Sequence, residues 1–431
     1  MVFVPFLEQK EVAVNVSDGG LTFVKLLEKL KTYTPARALQ VTGWHIARLL
    51  NAAAYGLCRC LPLNRQLIVL ESEGDLSDNG YAFYDYLLQN GYLRAYRVVW
   101  LVEDPKSARR LALPNTAFVS KDVNRLCFRR SLALATCRYS LYDHCNLLAD
   151  YRKRPGCTVI NLWHGCGFKA DKGAGAPQKT PPDKIVLTGP LYLPTQMAVF
   201  GRQEQDFLDL GYPRNDYLFG PLSDKQERFA RRFRSYRKVF LWMPTFRRSI
   251  NPALTESYFQ SATGLPLLDD GDKLARFNDW LAARGCLCIL KVHHLQAKLE
   301  VFRQSFSHLL LLKDDDLHDA GLQLYQMLPL TDCLITDYSS IANDYMLLDK
   351  PIIYTLDDYD DYRRSRGLIP PDPIRYFVGH QVVTPEGLFD AMADVISGAD
   401  PYRAARAAIL PRMHTHPDGR SAQRIADYLN L

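Results

Sequence analysis

The chain has no apolar run long enough to span a bilayer, no C-x-x-C pair, no internal repeat and no low-complexity tract. The first absence argues against a membrane-spanning helix. Between Leu21 and Gln66 the apolar residues are interrupted by Arg48, Asn51 and Arg59 before they reach spanning length. Cysteine chemistry is equally thin. The ten cysteines are irregularly spaced, and the C-x-C pairs Cys58/Cys60 and Cys286/Cys288 have no nearby histidine to complete a zinc site. Most lie in apolar runs, which suits reduced, buried thiols and a cytoplasmic protein. The opening MVFVPFLEQK has no basic n-region, so no cleavable signal peptide is expected. Acid doublets occur (Asp269-Asp270, Asp314–Asp316, Asp357-Asp358, Asp360-Asp361) but without the spacing of a magnesium or calcium loop. They are expected in solvated turns, and no metal is expected. A formal net charge of +6 is a mild excess, suited to an anionic substrate or membrane surface rather than to nucleic acid.

What is present is an ordinary globular composition, 47% apolar, over 431 residues, a length that suits two domains. Residues 1–65 form a separate basic segment. From Leu21 to Gln66, Lys25, Lys29, Lys31, Arg37, Arg48, Arg59 and Arg65 face one acid, Glu28. With Trp44, Ile46, Leu49, Leu50, Tyr55, Leu57 and Leu61 interleaved, this reads as an amphipathic helix on an anionic membrane surface. The alternative is a helix packed on the domain with a solvated basic face.

Residues 66–221 alternate strand-like and helical patterns. Apolar runs recur at 66–70, 97–102, 117–119, 139–142, 157–162 and 185–188, with helical spacing at Tyr81–Leu88 and Asp122–Leu132. This is a doubly wound α/β domain, in which ligands sit beyond the carboxyl ends of the strands. One exit reads Trp163-His164-Gly165-Cys166-Gly167-Phe168-Lys169. Histidine after a strand, on backbone that glycine lets bend, is a candidate base. Glu71-Ser72-Glu73-Gly74-Asp75 leaves another strand and is read as a turn and helix cap. Gly173–Pro182 is a loop able to cover the cleft. Gly211-Tyr212-Pro213-Arg214-Asn215-Asp216 closes the domain, and Gly220-Pro221 marks the linker.

Residues 222–431 begin with an arginine-rich helix, Asp224–Arg237, and then repeat the alternation. Strands at 239–243, 287–291, 309–312, 333–336 and 352–354 have exits carrying Thr245 with Arg247, His293-His294, and Asp337-Tyr338-Ser339-Ser340. Arginine suits bidentate phosphate contacts. Ser339 and Ser340 begin a helix over Ile341–Leu348, where free backbone N–H groups favour a phosphate. Alternatively they only cap that helix. The last helical pattern, Ser421–Leu429, is expected to cap the sheet or cross back over the domain junction.

These motifs resemble those of the CDP-glycerol glycerophosphotransferases, the teichoic-acid primases and polymerases and their capsule-building relatives. The matching residues are W-H-G at 163–165 with Lys169, G-Y-P-R-N-D at 211–216, M-P-T-F-R at 243–247, K-V-H at 291–293 and T-D-Y-S-S-x-x-x-D at 336–344. Lys350-Pro351, Arg366-Gly367 and E-S-E-G…D-N-G at 71–80 also match, so the likeness covers roughly residues 66–380. It departs at His294, where the family usually has proline, and at the 173–182 loop and Thr188-Gly189.

The resemblance implies a GT-B-like α/β fold: two Rossmann-like domains facing across a cleft, the first for the acceptor, the second for a CDP-linked donor. It implies His164 as base on the acceptor hydroxyl. It also implies His293, Thr245, Arg247, Ser339 and Ser340 at the donor pyrophosphate, with Asp344 orienting the site or touching the donor's polyol. Gly165, Lys169, Arg214, Asp216, Asp337 and Arg366 support. The implied reaction moves a polyol phosphate, most simply glycerol phosphate, from a CDP-linked donor to a hydroxyl on a lipid-linked or polymeric acceptor. CMP leaves, and neither cofactor nor metal takes part. The implied place is the inner face of the cell membrane. Two alternatives stand beside it: a GT-B sugar-nucleotide transferase or epimerase, and a non-catalytic membrane scaffold.

Overall fold

The computed structural model describes residues 33–170, 178–247, 261–293, 296–370 and 372–431. Lys25, Glu28, Lys29 and Lys31 of the basic segment, part of the 173–182 loop, and His294 lie outside the described residues.

Two parallel sheets organise the chain. The first has seven strands in the order β3-β2-β1-β4-β5-β6-β7: β1 Asn64–Glu71, β2 Arg97–Val102, β3 Thr116–Ser120, β4 Cys137–Tyr142, β5 Thr158–Asn161, β6 Lys184–Leu187 and β7 Phe207–Asp209. The second runs β10-β9-β8-β11-β12-β13: β8 Val239–Met243, β9 Leu287–Leu290, β10 Leu309–Leu311, β11 Cys333–Thr336, β12 Ile352–Thr355 and β13 His380–Val382. All pairings are parallel, and central strands such as β2 and β11 are buried on both faces, which is why they read as unbroken apolar runs. Each order reverses once, between β1 and β4 in the first sheet and between β8 and β11 in the second. Those reversals open a crevice at the strand ends.

Several boundaries differ from the sequence expectation. β7 and β13 are three-residue edge strands, too short to leave a periodic signal. The helix expected over 122–132 runs instead from Phe128 to Thr136, because Asp122 and Asn124 build a turn first. The arginine-rich helix stops at Ala230 and continues as one 3-10 turn. The helix after Ser340 is regular only to Tyr345, then tightens into a 3-10 turn ending at Asp349, whose φ is 50°. The acid doublets are not merely solvated turns. Asp270 caps a helix through the Lys273 N–H, Asp314–Asp316 form a helical first turn, and Asp358 is buried.

Helix α1, Pro35–Cys58, starts at Thr34 with Pro35 at its first position. It packs on the first domain through Val41, Asn51, Tyr55 and Cys58, which are buried. The Asn51 amide donates to Val123 O and Arg125 O and accepts from Cys127 N. Leu39, Ile46, Leu50 and Leu57 lie on the opposite stripe and are exposed, Leu39 at 76% and Leu57 at 74%. No described helix is long and apolar enough to cross a membrane. The final helix, Ser421–Leu429, lies against the first domain: Asp216 accepts from Ser421 N and Ala422 N at 2.8 Å each, and Tyr139 OH donates to Leu429 O at 2.8 Å.

Candidate active site

The crevice of the first domain collects β1, β4 and β5 exits. Trp163 follows β5 in the left-handed region, φ 55°, a conformation costly for a bulky residue. Two asparagines hold it there. Asn161 Oδ1 accepts from Trp163 N at 2.8 Å, and Asn79 Nδ2 donates to Trp163 O at 2.7 Å. This aims His164, whose Nδ1 faces the carbonyl of Asp143 at 3.3 Å. A neutral imidazole donating from Nδ1 keeps its Nε2 lone pair available to accept a proton. Burial, and then the charge of neighbouring His144, push His164 down to about 4. Gly165 has φ 143°, and a Cβ there would run into the Ser340 hydroxyl and come within 3.2 Å of Arg214 Nη2. Only glycine lets this loop of the first domain lie directly against the Ser340 turn of the second.

His144, at the exit of β4, is a residue the sequence reading did not single out. Its Nδ1 lies 2.8 Å from Asp143 Oδ1 and its Nε2 2.9 Å from Glu73 Oε2. Its ring stacks on His164 with centroids 4.1 Å apart and planes 13° apart. Burial opposes its charge, but the hydrogen bonds to Asp143 and Glu73 outweigh burial and raise it to about 10. The His144 hydrogen bond is also the main reason Glu73 falls to about 2, and the charges of His164 and His293 act in the same direction. Histidines from both domains therefore bear on one carboxylate. The same strand-exit rule that singled out His164 applies equally to Asp143-His144 and could have found it. Asp78, Asp143 and His144 place ligand-type atoms within 4.8 Å of one another. A cation there would have to displace existing partners. Both nitrogens of His144 face carboxylates, Asp143 accepts from Glu73 N and Gly80 N, and Asp78 pairs with Arg214. We read the group as an ion-pair network.

The second domain's crevice lies between β8 and β11. Asp337 is fully buried and accepts from Thr245 N, Thr245 Oγ1 at 2.6 Å and Arg247. Arg247 also binds Asp358 in a two-pronged contact, at 2.6 and 2.9 Å, and its side chain is 0% exposed. Arg247, expected at the donor phosphates, is placed by the structure in a buried ion-pair arrangement. Its guanidinium is enclosed by two carboxylates, and it acts as the buried counter-charge of the turn. Burial favours a neutral Asp337, but Arg247 and Lys169 outweigh it and hold the carboxyl below the usual range. Thr245 is likewise engaged, its hydroxyl donating to Asp337 and accepting from Lys169 Nζ at 3.2 Å. Lys169 comes from the first domain, where burial lowers it to about 8. Its strand bridge to Leu368 brings the Arg366 segment to the same place.

Ser339 and Ser340 are partly buried, and Ser340 makes no side-chain capping bond. His293 is exposed at the exit of β9, its ring 4.6 Å from that of Phe246. Asp344, one turn beyond Ser340 on the same helix, is buried. It accepts from Arg214 at 3.0 Å, Asn215 at 2.9 Å and Tyr325 OH at 2.6 Å, all buried. The sequence expectation is a contact with the donor's polyol; the structure shows Asp344 joining Arg214 and Asn215 to Tyr325. Asp216 accepts from the first N–H groups of the final helix.

A sequence profile described as CDP-glycerol:poly(glycerophosphate) glycerophosphotransferase matches residues 53–431. The chain belongs to that family. Among its relatives is the teichoic acid ribitol-phosphate primase of Bacillus spizizenii. It is 27% identical over 401 residues, covering 87% of this chain and 93% of the relative. The teichoic acid glycerol-phosphate transferase of Staphylococcus aureus is 24% identical, covering 84% and 92%. The structure of the wall teichoic acid polymerase TagF, in a variant soaked with CDPG, superposes with a TM-score of 0.70. That match covers 92% of this chain and 98% of the solved TagF chain at 19% identity, and establishes the shared GT-B-like fold. The family is one of enzymes that transfer a polyol phosphate, and its teichoic acid relatives build cell-wall polymers.

Proposed function

We propose that this enzyme moves a polyol phosphate from a CDP-linked polyol to a hydroxyl on a lipid-linked or polymeric acceptor, releasing CMP without a metal. The observation that carries this reading is the apposition of the His164-Gly165 loop of the first domain with Ser340 of the second. A base on one side thereby faces hydroxyl donors on the other. As the acceptor oxygen attacks the distal phosphorus, His164 Nε2 takes its proton and the bond from phosphorus to the CMP oxygen breaks. Ser339, Ser340, His293 and Arg366 meet the charge on the transferring group and on CMP. Arg247 and Lys169 act one step behind, holding Asp337 and Thr245 in place. A bound pyrophosphate beside His164 favours its protonated form, so donor binding strengthens the base.

In this reading the exposed stripe of α1, with Leu39, Ile46, Leu50 and Leu57, lies on the inner face of an anionic membrane, where a lipid-linked acceptor is found. Product analysis with CDP-glycerol, CDP-ribitol and sugar nucleotides tests the proposal. CMP is expected, at a rate EDTA leaves unchanged. CDP or UDP as product would assign a sugar transferase instead, and loss of rate restored by magnesium would refute the metal-free account.

A further inference from the structure

The acid–base network of the first crevice contains one ionised ring that neither donor nor acceptor binding accounts for. His144 has both ring nitrogens against carboxylates, Asp143 at 2.8 Å and Glu73 at 2.9 Å, so both carry protons and the ring is cationic. It is stacked face to face on His164 at 4.1 Å. Asp143 ties the two rings together. Its carboxylate holds His144, and its backbone carbonyl faces His164 Nδ1. The same carboxylate accepts from Gly80 N and Glu73 N, so the arrangement is fixed from β1, β4 and the Asp78–Gln89 helix at once.

We propose that His144 is a positioning residue of the transfer reaction: its ring, stacked on His164, fixes the plane of that imidazole against the Asp143 carbonyl. This rests on the reading of His164 as base. A second positive charge within stacking distance makes protonation of His164 costly, and the stack prevents the ring from turning its Nδ1–H away from Asp143 O. The other charged groups facing His164 are Asp78, which favours its protonation, Arg214, which opposes it, and Glu73, which the charge of His164 lowers in turn. Asp78 and Arg214 are paired with each other at 2.7 Å, which leaves His144 as the larger influence after burial itself. Around His144 the facing groups are Asp143, Glu73 and Asp78, all carboxylates. No covalent step is assigned to it.

Nitrogen-15 spectra of histidine-labelled intact enzyme test this without a mutation. At pH 7, His144 should be doubly protonated and His164 neutral with its proton on Nδ1. A neutral His144 would overturn the proposal. In His144→Phe, which keeps a stacked ring, and in His144→Gln, the midpoint of His164 should rise by about one pH unit or more. The acid limb of kcat/KM should move with it. Turnover at pH 7 should fall roughly 10-fold or more in His144→Gln, which loses the stack that holds the ring, and little in His144→Phe, since His164 stays neutral at that pH in both, while the Kd for a CDP-linked donor holds within about twofold. An unmoved His164 midpoint, whatever the activity, would reduce His144 to a structural role. A moved midpoint with an unmoved rate profile would instead remove His164 as the base, and its positioning residue with it.

Discussion

The guanidinium of Arg214 donates to the carboxylate of Asp344 at 3.0 Å across the junction of the two domains, with both side chains buried. Arg214 also pairs with Asp78 at 2.7 Å and lies 4.3 Å over the ring of Tyr325. Asp344→Ala should therefore destabilise the enzyme by roughly 2–4 kcal/mol, since it leaves Arg214, Asn215 and Tyr325 short of a partner. Thermal melts measure this. The ratio of rates with CDP-glycerol and CDP-ribitol should stay as in the wild type. A changed ratio with an unchanged melt would return Asp344 to the donor's polyol.

On the proposed mechanism the two cleft histidines have different tasks. His164→Ala should lower kcat by roughly two to four powers of ten with donor affinity spared, because a base acts only as the hydroxyl attacks. His293→Ala should lower both kcat and donor affinity. Calorimetric titration with single-turnover rates separates these effects, and the opposite pattern would exchange the domains' roles.

Ser340 makes no capping hydrogen bond. Ser339→Ala combined with Ser340→Ala should thus change stability by less than about 0.5 kcal/mol while weakening the donor Kd. A loss of about 1 kcal/mol in stability with unchanged donor binding would make the hydroxyls a helix cap after all.

Membrane binding is best tested on the exposed stripe of α1, not by removing residues 1–60. Tyr55 and Cys58 belong to the core beneath the first sheet, so the truncation would open that core. Leu50→Glu with Leu57→Glu should abolish sedimentation with anionic vesicles and leave the melting temperature within a few degrees. Binding by the wild type should weaken as salt rises. Equal sedimentation of variant and wild type would show the stripe to be idle.

Burial raises Glu71 to about 8, although Leu147 N–H donates to it at 2.9 Å. The native state therefore holds a proton that the unfolded chain has released above about pH 4.5. Its stability should fall as pH rises from there to about 8. Glu71→Gln should remove that slope and stabilise the protein at pH 9 by roughly 2–4 kcal/mol, with little change at pH 4. Melts across this range decide it, and parallel curves for the two proteins would refute a protonated Glu71.

The succession of most strands along the chain and the residues leaving them were legible in the sequence by itself, whereas the order of strands within each sheet and the short edge strands β7 and β13 were not. Strands of parallel sheets are buried on both faces, so they read as local apolar runs, and the residue after each run is fixed by chain direction. His164, His293 and the Ser339-Ser340 turn were found that way. What each side chain does was decided by tertiary structure, because charge pairing reaches across the chain. Arg247 meets Asp337 and Asp358 from 90 and 111 residues away, and Arg214 meets Asp344 from 130. No local pattern distinguishes an arginine that holds a phosphate from one enclosed by two carboxylates. The cationic His144 likewise depends on Glu73 and Asp143 arriving from different strands, and its effect on His164 on the stacking of two strand exits. Burial converts those meetings into shifted protonation states, and burial belongs to the folded whole.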